Sequence, residues 1–274
     1  MSIDRSHSQV SNPLYTPTKD ELWIATYINK YTEENPHNSK GTHSLDYNRV
    51  HSRRFLNSYN WIANHLQPNL KILELGGSGL FSYIIQDLNP SIQIDSTHTD
   101  LRHKLDLDSQ SYDLILNMEV IEHIKDQNSN AIGEIGCFTK SGLNTFLSEC
   151  YRLLKPNGLM FLTTPNLTSL DNIHRILHHL PPINYYPHFR EYSIGELKEF
   201  AENHKFTVLK VDTFDSWNEY QPKSRSEILS LLSQNGYSTE HRKENIFYAL
   251  AKELNLFSRY RRCVQHFVLL RSSI

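Results

Sequence analysis

The chain has 274 residues, and its 28 Lys and Arg against 30 Asp and Glu leave a formal charge of −2 with histidine neutral. That balance argues against a polyanion as main partner, so nucleic acid is not expected. No apolar run reaches the roughly 18 residues of a membrane helix, and the opening stretch lacks the charged-then-apolar order of an export signal, so the expected compartment is the cytoplasm, with no membrane partner.

In chain order, residues up to about 20 are rich in Ser, Asn, Pro and Thr and are expected to be loosely ordered. Helical patterns follow at about 20–31, with Leu22, Trp23, Tyr27 and Tyr31, and at 49–66, where Phe55, Tyr59, Ile62, Ala63 and Leu66 share a face before Pro68. KILEL, 71–75, reads as a buried strand, followed by a glycine turn and a helix over 79–88; a short second strand falls at Ile92–Asp95. YDLILN, 112–117, is apolar enough to be covered on both faces. A helix over 142–154 stops at LKPNG, 154–158, and runs into strand LMFLTT, 159–164. Ser193 and Glu196 have capping-box spacing at the head of a helix that turns Leu197, Phe200 and Ala201 inward, ahead of strand FTVLKV, 206–211. NIFYALA, 245–251, is the expected last strand, and RYRR, 259–262, reads as a solvated helix face.

Strands alternating with helices predict an α/β, Rossmann-like, doubly wound and mostly parallel sheet, which binds ligands past the carboxyl ends of its strands. The expected divisions are an N-terminal extension and helical cap at 1–66, the ligand-binding domain at 67–252 and a tail at 253–274. Asp113 stands only 39 residues after Glu74, too few for a full strand, helix and strand between them, so the sheet is expected to be trimmed there.

The glycine turn carries the chemistry. Neither Gly76 nor Gly77 starts a complete G-x-G-x-x-G, and no G-K-[ST] follows, so both phosphate-binding patterns fail. Glu74, two residues ahead of the glycines, would repel a pyrophosphate and suits a cationic ligand. The three cysteines, Cys137, Cys150 and Cys263, are far apart with no CxxC pair, and His178 and His179 diverge on a helix, so no metal site is expected.

ELGGSG, 74–79, resembles the first motif of class I S-adenosylmethionine-dependent methyltransferases, although Ser78 and Leu80 stand where two glycines are usual. SYDLILNMEVIEHI (111–124), FLSECYRLLKPNGLMFLTTPN (146–166) and HFREYSIGELKEFAENHKFTV (188–208) resemble later segments of that family in the same order. The likeness is to a bacterial branch with an EviEH turn and a TTPN segment, whose members mainly modify small molecules or glycans. It implies S-adenosylmethionine as cofactor, with Glu74 at the methionine part and Gly76, Gly77 and Gly79 letting the backbone approach. Asp95, preferred, or Asp100 would accept the ribose hydroxyls. Asp100 with Leu101 would lie near the adenine, and Met118 and Glu119 would flank adenine and sulfonium.

His123 is a candidate general base or a histidine capping the turn, with His188 the second candidate base. The run His188, Arg190, Tyr192 reads as substrate contact or as a loop anchored by an Arg–carboxylate pair, and Tyr186 belongs to the same aromatic segment. NMEV, 117–120, stands where base-methylating relatives of the fold would carry [DN]PP[YFW], which speaks against base methylation. The aromatics and few charges of the segments outside the core, the first 66 residues, 125–142 and 167–192, suggest a small polar acceptor such as a sugar or secondary-metabolite hydroxyl. The other readings are a binding module that has lost catalysis and a nicotinamide-dependent enzyme. Oligomeric state stays open.

Overall fold

The computed structural model describes residues 19–36, 44–126, 141–214 apart from 178, 184 and 186, and 263–271. Tyr186, Cys137, the strand expected at 245–251, the basic cluster at 259–262 and most of the segment between Lys125 and Gly142 lie outside the described residues.

Among the described residues, three α-helices precede the sheet: α1 (Lys19–Glu34), α2 (Leu45–Val50) and α3 (Ser52–Ile62). The single helix expected over 49–66 is therefore broken at His51, which ends α2 and begins α3. Then come β1 (Lys71–Leu75), α4 (Leu80–Leu88), β2 (Gln93–Thr97), β3 (Tyr112–Met118), α5 (Ser141–Leu153), β4 (Leu154–Thr164), α6 (Leu170–Leu177), α7 (Ile194–Asn203), β5 (Phe206–Phe214) and β6 (Cys263–Arg271).

The strands form one sheet in the order β2-β1-β3-β4-β6-β5. The first four are parallel, and β6 runs antiparallel to both neighbours. Alternate residues of a strand point to opposite faces, so β1 splits its apolar set. Leu73 and Leu75 pack with α5 and α7, through Phe146, Leu197 and Phe200. Ile72 packs on the other face with α1, α3 and α4, through Ile28, Phe55 and Ile84. Burial on both faces explains the near-continuous apolar runs of β1 and β3.

Two features differ from expectation or sharpen it. Cys263–Arg271, assigned to a tail from sequence, is the strand that β4 and β5 share: Phe267 pairs with Leu162 on one side and Val211 on the other. Leu269 is buried there, and the segment's Val, Phe and Leu content suits a covered strand. The trimmed crossover is as expected, since residues 98–111 contain no helix or strand. Arg152 of α5 holds this loop in place of a helix, donating to the carbonyls of Leu107 at 2.8 Å and Leu105 at 3.0 Å. Its partner Glu149 accepts the Leu105 N–H at 3.0 Å.

Candidate functional site

The carboxyl ends of β1, β2 and β3 meet at one edge. Just past β1, Gly76 and Gly77 have φ of +94° and +101°, a region that side chains disfavour. A Cβ on Gly76 would come 2.5 Å from a Val120 methyl, and one on Gly77 would come 2.0 Å from the His98 ring. Gly79 is different: it precedes α4 in extended backbone, with φ −148°, and any residue can adopt that. Glu74 is 4% exposed and accepts from the Ser82 hydroxyl and the Gly79 N–H at the start of α4. Burial pushes its pKa up to about 7 despite both hydrogen bonds, which act to lower it. The acid therefore orders the turn that follows it.

A cavity of about 390 Å³ opens at this edge, bounded by Gly76, His98, Asp100, Leu101, Val120 and His123 among others. Asp100 is gripped by Arg102, whose Nη2 lies at 2.7 Å and whose Nε lies at 2.9 Å and 3.1 Å from the two carboxylate oxygens. That pairing holds its pKa down at about 2. Asp95, the acid preferred from sequence, does not reach this cavity. It sits in mid-strand and turns back to the Tyr112 hydroxyl at 3.0 Å and Lys71 at 3.4 Å, residues that open β3 and β1. Counting from Glu74 along the chain could not reveal that β2 continues two residues past Asp95, to Thr97.

Met118 and Glu119 do not bound this cavity either. Met118 Sδ faces the Thr163 hydroxyl at 3.9 Å. Glu119, at φ +57°, turns toward Arg54, with 3.7 Å between Oε2 and Nη1. Val120 and His123 of the next turn stand at the cavity instead.

Behind His123 lies a buried polar cluster. Glu122 is fully buried; its Oε2 accepts from the Thr164 hydroxyl at 2.9 Å, while its Oε1 has no hydrogen-bond partner. His188 Nε2 lies 3.9 Å from that Oε1, and His188 Nδ1 lies 3.1 Å from Glu191 Oε1. Glu191 accepts in turn from Asn172 Nδ2 of α6 at 2.6 Å. His123 packs edge-on against His188 at 4.9 Å, with its Nδ1 3.2 Å from the Pro187 carbonyl. Desolvation, then the nearby Glu119, raises the Glu122 pKa well above the ordinary carboxylate value. Burial, then His188, lowers that of His123.

Of the His188, Arg190, Tyr192 run, only His188 enters this cluster. Arg190 pairs with Glu196 and lies over the Tyr192 ring, 5.1 Å from its centre. Glu196 also closes the capping box with Ser193, so the Arg–carboxylate anchor is what the loop displays. Tyr192 is buried, with its pKa pushed up to about 12 by desolvation, and borders a separate cavity of about 210 Å³ with Arg190.

Sequence reading passed over Glu122, Thr164, Glu191, Asn172 and His98. The signal for Glu122 was present: an acid inside an otherwise apolar V-I-E-H-I turn at a strand end must be hydrogen-bonded or held for use.

A family model described as a methyltransferase domain matches residues 40–211. A protein of Mycolicibacterium smegmatis named as a probable S-adenosylmethionine-dependent methyltransferase is 32% identical over 113 residues, covering 40% of this chain and 35% of that one. The ubiquinone biosynthesis O-methyltransferase of Bartonella tribocorum is 28% identical over 185 residues, covering 55% of this chain and 68% of that one. The enzyme of the same name from Pelagibacter ubique is 30% identical over 130 residues, with 40% of this chain and 48% of that one covered. The chain thus spans between about a third and two thirds of the length of these relatives. The crystal structure of a SAM-dependent methyltransferase from Archaeoglobus fulgidus aligns at 12% identity and a TM-score of 0.47, over 78% of this chain and 91% of that one.

Proposed function

The chain belongs to the class I S-adenosylmethionine-dependent methyltransferases, and on that premise we propose that it methylates a hydroxyl of a small organic acceptor. The residues fit the cofactor. Two glycines leave backbone where side chains would clash, and a buried acid beside them favours a cation over a phosphate. Bound S-adenosylmethionine supplies an electrophilic methyl group on a cationic sulfur that leaves neutral.

The chain's own part is binding, orientation and proton handling. Glu74 orders the turn through Ser82 and Gly79 and offers its charge to the ammonium end. Gly76 carries the backbone to the cavity, with Gly77 beside it under the His98 ring, and Asp100 with Leu101 takes the ribose and adenine side. His123 stands between the cavity and the buried cluster. Its Nδ1 faces the Pro187 carbonyl, which leaves Nε2 as the lone-pair nitrogen, and its lowered pKa keeps the ring neutral. An acceptor hydroxyl near His123 and His188 would lose its proton there. Holding it in line with the methyl group at about 3 Å supplies much of the rate.

The observation that carries this reading is one cavity bounded by Gly76, Asp100 and His123, with buried Glu74 behind its glycine edge. Its size suits a nucleoside and a small acceptor better than a polymer. The ubiquinone-biosynthesis names of two relatives favour an oxygen acceptor. Among the described residues no helix is long and apolar enough to cross a membrane. Arg190, Tyr192 and Tyr186 remain candidates for acceptor contact.

Calorimetry with S-adenosylhomocysteine and with NAD tests the premise: the first should bind and the second should not. Turnover of labelled donor against a panel of phenolic and sugar hydroxyls tests the acceptor. Binding without turnover on any acceptor would favour the non-catalytic binding module.

A further inference from the structure

We infer that Glu122, His123 and His188 form a binding site for one divalent transition-metal ion at the inner wall of the cavity. One potential ligand atom from each lies within 4.8 Å of the other two. A tetrahedral shell with bonds of about 2.1 Å sets neighbouring ligand atoms about 3.4 Å apart, so closure by roughly an ångström completes the site.

Each ligand atom is already presented. Glu122 Oε1 is buried and has no hydrogen-bond partner, while Oε2 is fixed by Thr164. A buried carboxylate oxygen left unpaired is costly unless something binds it. His188 is held through Nδ1 by Glu191, itself held by Asn172, which leaves Nε2 aimed at Glu122. A carboxylate behind the remote nitrogen of an imidazole is the outer shell that metal-bound histidines use to fix tautomer and direction. His123 repeats the arrangement with a backbone carbonyl behind Nδ1.

Charge points the same way. Glu119, Glu122 and Glu191 converge on this spot, and the Arg54 guanidinium is the cation that faces the first two. Two imidazoles with one carboxylate favour Zn²⁺, Mn²⁺ or Fe²⁺ over Mg²⁺ or Ca²⁺, which prefer all-oxygen shells. Three protein ligands leave open positions, and His123 borders the cavity. An ion there would occupy the imidazole lone pairs and so replace His123 as the group that draws off the proton: it would take the acceptor's hydroxyl oxygen and lower its pKa, with the proton going to bulk water. This use rests on the methyltransferase reading, but ion binding itself does not. The cysteine and histidine spacing read from sequence missed the site because its three ligands come from two loops 65 residues apart.

The test uses the full chain, free of any histidine tag and stripped with a chelator, titrated with Mn²⁺ by electron paramagnetic resonance and with Zn²⁺ by calorimetry. One ion per chain is expected. Glu122→Gln and His188→Ala should each weaken Mn²⁺ binding at least tenfold, and Glu191→Gln, which touches only the outer shell, by about 10- to 100-fold. S-adenosylhomocysteine binding, measured on every variant, reports that it is folded. A chain that binds the nucleoside but no Mn²⁺ or Zn²⁺ overturns the metal site and leaves the methyltransferase reading standing. Unchanged Mn²⁺ affinity in folded Glu122→Gln or His188→Ala overturns it as well. Metal binding without nucleoside binding would leave the site intact and count against the other reading.

Discussion

Arg54 of α3 lies 3.7 Å from Glu119, just past β3; the arginine side chain is buried and that of the glutamate is 16% exposed. The Tyr47 hydroxyl accepts from the same guanidinium at 2.8 Å. This contact ties the helical extension to the floor of the site, because Glu119 precedes the turn that carries Val120, Glu122 and His123. Removing one member of a buried pair leaves an uncompensated charge, at a cost of about 3–5 kcal/mol.

Arg54→Leu is therefore expected to lower stability by about 3–5 kcal/mol in urea unfolding. Adding Glu119→Gln should recover part of that loss, since the stranded charge is then gone. A loss under about 1 kcal/mol for the single variant would mean that the pair is screened and carries little.

The two glycines should respond differently. Gly76→Ala drives a methyl group against Val120 at a strained φ, whereas the obstacle at Gly77 is the His98 ring, which can swing away. Backbone strain costs about 1–3 kcal/mol at either position. Gly76→Ala should be the less stable of the two, and Val120→Ala should restore part of its stability but not all. Equal melting temperatures for the two glycine variants would contradict this assignment of the obstacles.

Asp100 and Asp95 separate binding from structure. Asp100→Asn is expected to weaken S-adenosylhomocysteine binding tenfold or more, because Asp100 stands at the cavity. Asp95→Asn should leave affinity unchanged and shift only stability, through the Tyr112 hydroxyl and Lys71. Calorimetry on both variants decides, and the reverse pattern would restore Asp95 to the ribose.

Most of the sheet was legible because β1, β3 and the 159–164 part of β4 are buried and announce themselves as apolar runs, whereas LKPNG, read as the stop of a helix, extends β4 back to Leu154. The capping box at Ser193 and Glu196 was equally readable, being local chemistry. What escaped was non-local. Strand β6 derives its meaning from a slot between β4 and β5, which no periodicity within 263–271 reveals. Glu122 and His188 were visible as residue types, but their partnership depends on Phe189 N–H bonding back to the Glu122 carbonyl at 2.9 Å. Asp95 was preferred on spacing, which counts residues, whereas the cavity is bounded by residues beyond the point where β2 stops.

Glu74 gives a pH dependence of the free chain that one substitution can isolate. Its folded pKa of about 7 stands above the ordinary value of 4.5, so between those two pH values the folded chain holds a proton that the unfolded chain has released. Stability must then fall as pH rises through that window, by roughly 3 kcal/mol once both states are ionised. Urea unfolding at half-unit steps from pH 4.5 to 7.5 should show this slope, and Glu74→Gln should remove Glu74's share of it. An ammonium group placed beside it favours the ionised acid and draws its pKa down, so binding of S-adenosylhomocysteine through its ammonium end at pH 7 should release about half a proton. Titrations in two buffers of different ionisation enthalpy measure that number directly. Release that vanishes in Glu74→Gln ties the ammonium to this carboxylate; zero release or proton uptake in the wild-type chain would separate them.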